Sequence, residues 1–139
     1  WAVRCPETKD AKADKKQCEV FQRIDMKGAD ARVAELAIGF PTDKDIEKGG
    51  AFGAVVLPLG ILLDQGVVMK VEEVKKPSSF KVRYCTNAGC VSYVNIGKSL
   101  LESMKKAKTV TFAFKTMEGQ DVNLIMSLTG LETALKEIQ

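Results

Sequence analysis

The feature that most narrows what this chain can become is the run at 49–69, GGAFGAVVLPLGILLDQGVVM, in which Asp64 is the only ionisable residue. A run this apolar belongs either in a membrane or in a core. A spanning helix needs about 20 predominantly apolar residues. Here Pro58, Gly60, Asp64 and Gly66 all fall inside the window, where they would break such a helix or load it with a charge. The run therefore reads as two buried strands. One closes at 55–57, a turn-and-return segment occupies 59–63, and the next opens at 67–71, alternating through Lys70 and Glu72. The expectation is a core hairpin turning at Leu57-Pro58-Leu59-Gly60. Because turns lie at the surface, Leu57, Pro58, Leu59, Ile61, Leu62 and Leu63 are the candidate interaction residues, with ordinary core packing as the plainer account of the same side chains.

What can cover that run is set by length and chemistry. At 139 residues the chain fits one domain, 1–139, with one core, near the size at which extra staples help. Its 21 basic residues are interspersed with 18 acidic ones, so it lacks the basic stripe with interleaved aromatics that a nucleic-acid face requires. No nucleic-acid partner is expected. The sequence holds no histidine, which removes the usual general base, the Ser-His-Asp and Cys-His arrangements and the commonest metal ligand. No carboxylate pair stands out as an acid-base couple. The expectation is a protein that is not an enzyme and carries no cofactor or metal.

The four cysteines are Cys5, Cys18, Cys85 and Cys90. They contain no C-x-x-C, and spacings of this kind make a poor zinc site. Disulfides suit them better. Four cysteines allow three pairings, of which the sequence-local one is simplest: Cys5 with Cys18 and Cys85 with Cys90. A Cys5–Cys18 bridge would remove denatured-state entropy worth about 3 kcal/mol. The competing reading is four buried thiols in a cytosolic protein, but small domains with paired cysteines are typically exported. No charged-then-apolar leader precedes Trp1, so for an exported chain the expectation is a signal peptide already removed.

Along the chain, alternation predicts strands at 1–5, 18–25 and 31–40, separated by a charged loop at 6–17 and a turn on Gly28. In the polar connection at 41–50, Asp43, Asp45 and Glu47 alternate, but the glycine spacing and terminal glutamate of an EF-hand are missing. Residues 79–85 predict one strand with Phe80, Val82 and Tyr84 inward, followed by a four-residue turn at 86–89 and a return strand at 91–96. A helix is predicted at 98–107 from a Ser99/Glu102 capping box and an apolar face of Leu100, Leu101 and Met104. Strands at 109–115 and 121–128 follow, joined through Glu118-Gly119-Gln120, and a Thr129/Glu132 capping box opens a last helix at 130–138. The sum is a mainly all-β chain: an antiparallel β-sandwich or barrel of about nine strands with two short helices.

Two short motifs imitate chemistry and fall short. Gly97-Lys98-Ser99 ends like a phosphate-binding loop, but the first glycine of that motif is replaced by Ser92, and Tyr93, Val94, Asn95 and Ile96 are too bulky for a backbone cradle. Ser103 and Lys106 match S-x-x-K without its S-D-N and K-T-G companions.

Five pieces carry a wider likeness: Trp1-Ala2-Val3-Arg4-Cys5; Cys18 with Gln22; Val33-Ala34-Glu35-Leu36-Ala37-Ile38-Gly39; Leu57-Pro58-Leu59-Gly60-Ile61-Leu62-Leu63 through Gly66-Val67; and Cys85 with Cys90. In that order, over nearly the whole chain, they resemble the invasion-associated locus B family of bacterial envelope proteins. The resemblance implies a β-sandwich-like protein of a Gram-negative bacterium, periplasmic, outer-membrane associated or secreted, linked to virulence through colonisation or invasion of host cells. The family brings no catalytic residues to carry over. It implies action through contacts with a protein or host-surface partner, with peripheral association with the envelope. The alternative is a periplasmic small-ligand or lipid carrier in which 55–63 lines a cavity.

Overall fold

A computed structural model describes residues 1–6, 18–25, 32–40, 46 and 48–139. Among the described residues, ten strands and two helices follow one another: β1 (Ala2–Arg4), β2 (Glu19–Asp25), β3 (Arg32–Gly39), β4 (Ala51–Leu57), β5 (Val67–Val71), β6 (Ser78–Phe80), β7 (Val82–Thr86), β8 (Gly89–Ile96), α1 (Lys98–Lys106), β9 (Thr109–Lys115), β10 (Asp121–Ser127) and α2 (Leu131–Ile138). They build two antiparallel sheets, one of six strands in the order β1-β2-β3-β4-β8-β7 and one of four in the order β10-β9-β5-β6. The sheets face each other across one apolar core. Helix α2 packs against β1, β2 and α1 and contributes Leu131, Leu135 and Ile138 to that core, with Leu101 and Met104 coming from α1. Of the sandwich or barrel expected from the strand pattern, the sandwich is the fold observed.

Clean alternation marks the strands that were simplest to read. In β9 the side chains of Val110, Phe112 and Phe114 are buried, while the intervening residues are half-buried or exposed. Its partner β10 pairs with it over seven residues without a register shift, from Asp121↔Lys115 to Ser127↔Thr109.

The apolar run at 49–69 is arranged differently from the core hairpin its composition predicts. β4 lies between β3 and β8 in the six-stranded sheet, whereas β5 lies between β9 and β6 in the other. The two strands never pair. They face each other across the core, so that Val55 and Leu57 from one sheet and Val67, Met69 and Val71 from the other join the same buried cluster. Burial is equally complete in either arrangement, which is why an apolar composition does not distinguish them. The crossing is made at Pro58, which has no N–H to give to a ladder, and at Gly60, whose φ of 85° lies in the left-handed region that glycine tolerates.

A second crossing divides the strand expected at 79–85. Lys81 separates β6, paired with β5, from β7, paired with β8 in the opposite sheet. The register of β7 also shifts between Val82 and Tyr84, so Val82 faces Ser92 while Tyr84 faces Val91. A one-residue slip turns a side chain to the other face of a sheet. Tyr84, expected inward, is consequently 49% exposed.

Both disulfides join the sequence-local pairs, Cys5 to Cys18 and Cys85 to Cys90. The first ties the end of β1 to the start of β2, next to the Arg4↔Glu19 pair. The second bridges directly opposed residues of β7 and β8, leaving Asn87 and Ala88 as a two-residue turn inside the expected four. Gly89 closes that turn with φ 140°, and a Cβ there would lie 2.6 Å from the Leu57 carbonyl oxygen. No side chain fits.

Neither expected capping box forms. Gly97 occupies the N-cap of α1 and Gly130, at φ 90°, that of α2, and neither helix has a side-chain cap. Ser99 therefore sits inside the first turn of α1, and Thr129 one residue ahead of the cap of α2. The Gly28 turn and the Asp43, Asp45, Glu47 alternation lie outside the described residues.

Candidate interaction surface

The six residues singled out at 57–63 divide between core and surface. Leu57 and Ile61 are buried at 1% and 7% exposure, whereas Leu59 and Leu63 are exposed at 56% and 57%. Pro58 and Leu62 are half-buried. The alternation arises because the crossover is pinned against the turn between β9 and β10. Ile61 forms a bridge with Thr116. The Leu62 N–H donates to the Lys115 carbonyl at 2.8 Å, and the Met117 N–H donates to the Gly60 carbonyl at 2.8 Å. Met117 is itself exposed at 67%, and its terminal methyl lies 3.8 Å from where a Gly60 Cβ would stand. The result is a joint with a buried root and three apolar side chains, Leu59, Leu63 and Met117, in solvent. Large exposed apolar side chains on a fixed backbone are candidate material for a contact surface.

The same geometry bears on the carrier alternative. Val55, Leu57 and Ile61, which such a carrier would need as cavity lining, belong to the packed core cluster. No observation among the described residues favours that alternative.

A second organised surface covers the outer face of the six-stranded sheet, and the sequence pattern did not single it out. Glu35 is 4% exposed although it points away from the core. Its carboxylate accepts from Arg4 Nη2 at 2.8 Å and from Arg23 Nε at 2.9 Å. Arg4 also donates from Nε to Glu19 at 2.7 Å. The guanidinium carbons of Arg4 and Arg23 stand 4.4 and 5.2 Å from the centroid of the Phe21 ring, within the range of cation–π attraction. Partial burial pulls the Arg4 pKa down, but the hydrogen bonds and negative charges of Glu35 and Glu19 outweigh it and leave the pKa above its ordinary value. Among the described residues, two arginines face two glutamates in this cluster. Its work is to lock β1, β2 and β3 together. The available signal was Glu35 itself, the one charge in the apolar stretch 33–40.

At the other end of that face, Phe52 and Tyr93 have ring centroids 5.4 Å apart, and Tyr84 and Tyr93 meet edge-on at 6.3 Å. The two tyrosine hydroxyls share a hydrogen bond of 3.1 Å. That bond, followed by the charge interaction with Tyr93 and slight desolvation, raises the pKa of Tyr84 above its ordinary value.

The motifs that imitated chemistry have structural occupations. The Ser103 hydroxyl lies 3.1 Å from the Ser99 carbonyl one turn back and donates to it. Lys98 lays its methylenes over Gly49. Among the described residues, no three or more histidine, cysteine, aspartate or glutamate side chains gather as a metal site, and no helix is long and apolar enough to cross a membrane.

The fold and surfaces together define a two-sheet sandwich stapled by two local disulfides, with its organised exposed features on sheet faces and turns. Comparison with known proteins gives this class a family. The whole chain, residues 1–139, matches the family model described as Invasion associated locus B (IalB) protein, and the chain belongs to that family. It is 28% identical over 94 residues to Invasion protein B of Bartonella bacilliformis, an alignment covering 66% of this chain and 50% of that protein. The chain thus spans about half the length of the curated relative it matches. Its fold is also that of the crystal structure of invasion associated protein b from Bartonella henselae, with a TM-score of 0.81 at 22% identity, covering 98% of this chain and 89% of that one.

Proposed function

We propose that this chain is an exported, non-enzymatic protein of the periplasm, outer membrane surface or secreted fraction, acting in colonisation or invasion of host cells through contact with a protein or surface partner. The observation that carries this reading is the joint at 57–63. Leu59, Leu63 and Met117 are held in solvent by backbone hydrogen bonds to a buried root, which costs a partner little ordering entropy on binding. Family membership supports an invasion-associated role. The two disulfides support passage through an oxidising compartment.

The test is a pair of substitutions that leave the buried root alone, Leu59→Ser with Leu63→Ser, assayed for binding to host-cell membranes and envelope extracts and for invasion by the bacterium carrying them. The expected result is a loss of binding and invasion with an unchanged melting temperature. Full binding and invasion by the double variant would remove the joint from the mechanism, and an unchanged phenotype on deleting the whole protein would remove the function.

A further inference from the structure

Sheets end in edge strands whose outward N–H and C=O groups invite another strand, and proteins usually blunt such edges by shortening, bulging or charging them. Among the described strands, three of the four sheet edges are blunted. β1 has three residues and ends on Arg4, β6 has three residues and follows Pro77, and β7 carries Arg83, a register shift and a disulfide. The fourth, β10, is a run of seven residues, Asp121 to Ser127, with no register shift and no charge after Asp121.

The hydrogen-bond parity of β10 can be read from its ends. The Leu128 N–H donates to the Lys108 carbonyl, and the Thr116 N–H donates to the Gln120 carbonyl. Groups alternate along an antiparallel ladder, so Val122, Leu124 and Met126 direct their N–H and C=O toward β9. Those of Asp121, Asn123 and Ile125 point to the edge that no described strand covers. Ser127 belongs to the same set, and its carbonyl already accepts from Trp1 Nε1 at 3.1 Å. The side chains on this edge are also incompletely covered. Ile125 is 62% exposed, and Val122 and Leu124 pack only partly against the core.

The geometry points to a second copy of this chain as the occupant of that edge, paired antiparallel with β10 about a two-fold axis at Leu124. In this register Leu124 faces Leu124 of the copy as a non-hydrogen-bonded pair, the closer of the two pair types. Val122 faces Met126 and Asn123 faces Ile125, so apolar residues on the inner face meet apolar residues and every outward N–H and C=O of Asn123 and Ile125 finds its complement. The lone charge, Asp121, falls opposite Ser127, so no like charges meet. Self-complementarity of this kind is what a two-fold interface requires. It joins two four-stranded sheets into one of eight, leaves the 57–63 joint outside the pairing, and does not depend on the function proposed above.

Sedimentation velocity of the intact, oxidised protein from micromolar to millimolar concentration tests this, with amide exchange as a second readout. The wild type should dimerise, and the amides of Asn123 and Ile125 should gain protection with concentration. Ile125→Lys places two positive charges diagonally across the axis and should raise the dimer dissociation constant at least about tenfold, equivalent to ~1.4 kcal/mol. Asn123→Pro removes an outward N–H while sparing the ladder to β9 and should abolish the dimer. If the proline variant does not fold, the lysine variant decides. A wild type that stays monomeric, or a dimer that both folded variants retain, overturns the proposal.

Discussion

The two ends of the six-stranded sheet are secured by the same covalent device and by opposite non-covalent ones. At the β1–β2 end the Cys5–Cys18 bridge stands beside a charge network centred on Glu35, which is nearly fully covered. At the β8–β7 end the Cys85–Cys90 bridge stands beside an aromatic cluster whose tyrosines remain in solvent. The difference follows from what each end must hold. The first gathers three successive strands whose connections are longer than a two-residue turn and uses multivalent charge-assisted hydrogen bonds to do so. The second is a hairpin already closed by a two-residue turn, where the covalent bridge and the steric fit at Gly89 leave little for side chains to add.

Substitutions at each end sharpen that contrast. The largest expected effect is at the hairpin's tightest point. Gly89→Ala places a Cβ against the Leu57 carbonyl in a backbone conformation unfavourable to side chains, and should destabilise by about 3 kcal/mol or more in denaturant unfolding. If it costs less than a surface substitution, the close approach of the hairpin to β4 is not rigid. Replacing both cysteines of a bridge by serine should cost about 3 kcal/mol for the pair separated by 13 residues and about 2 kcal/mol for the pair separated by 5. Equal losses would show that the two bridges do not act through denatured-state entropy.

Glu35→Ala should cost about 2 kcal/mol, the scale of hydrogen bonds to charged groups, because Arg4 and Arg23 are 39% and 40% exposed and water can partly replace the carboxylate. Glu35→Gln keeps one acceptor and should fall between. An alanine variant as stable as wild type would reduce the network to decoration. The smallest effect is at the tyrosines. In a spectrophotometric titration Tyr84 should ionise above the ordinary tyrosine value near 10, and Tyr93→Phe should return it there. Since the folded-state pKa is the higher one, any stabilisation from this pair is complete below the unfolded value and is lost as pH rises through the folded one. Tyr84 ionising at the ordinary value in the wild type would mean that the hydroxyl bond does not persist in solution.

Much of the architecture was legible because strand formation and local crosslinking are short-range properties. Period-two alternation located β9 and β10, and cysteines 13 and 5 residues apart paired as their proximity suggested. The candidate surface was half legible. The leucines of the 57–63 turn stood out, but which of them face water depends on Thr116 and Met117, more than fifty residues away.

The sequence by itself determined that the segments closing at 55–57 and opening at 67–71 must be buried as strands and that Pro58 and Gly60 must interrupt them, since apolar content and backbone freedom belong to the residues themselves. Only the tertiary structure decided that β4 and β5 lie in opposite sheets, that Lys81 splits a strand, and that Glu35 is satisfied by Arg4 and Arg23. Those outcomes depend on which strand becomes whose neighbour. Burial free energy follows the area removed from water and is indifferent to which apolar partner removes it; the choice is made by hydrogen-bond register and by pairing across the whole chain.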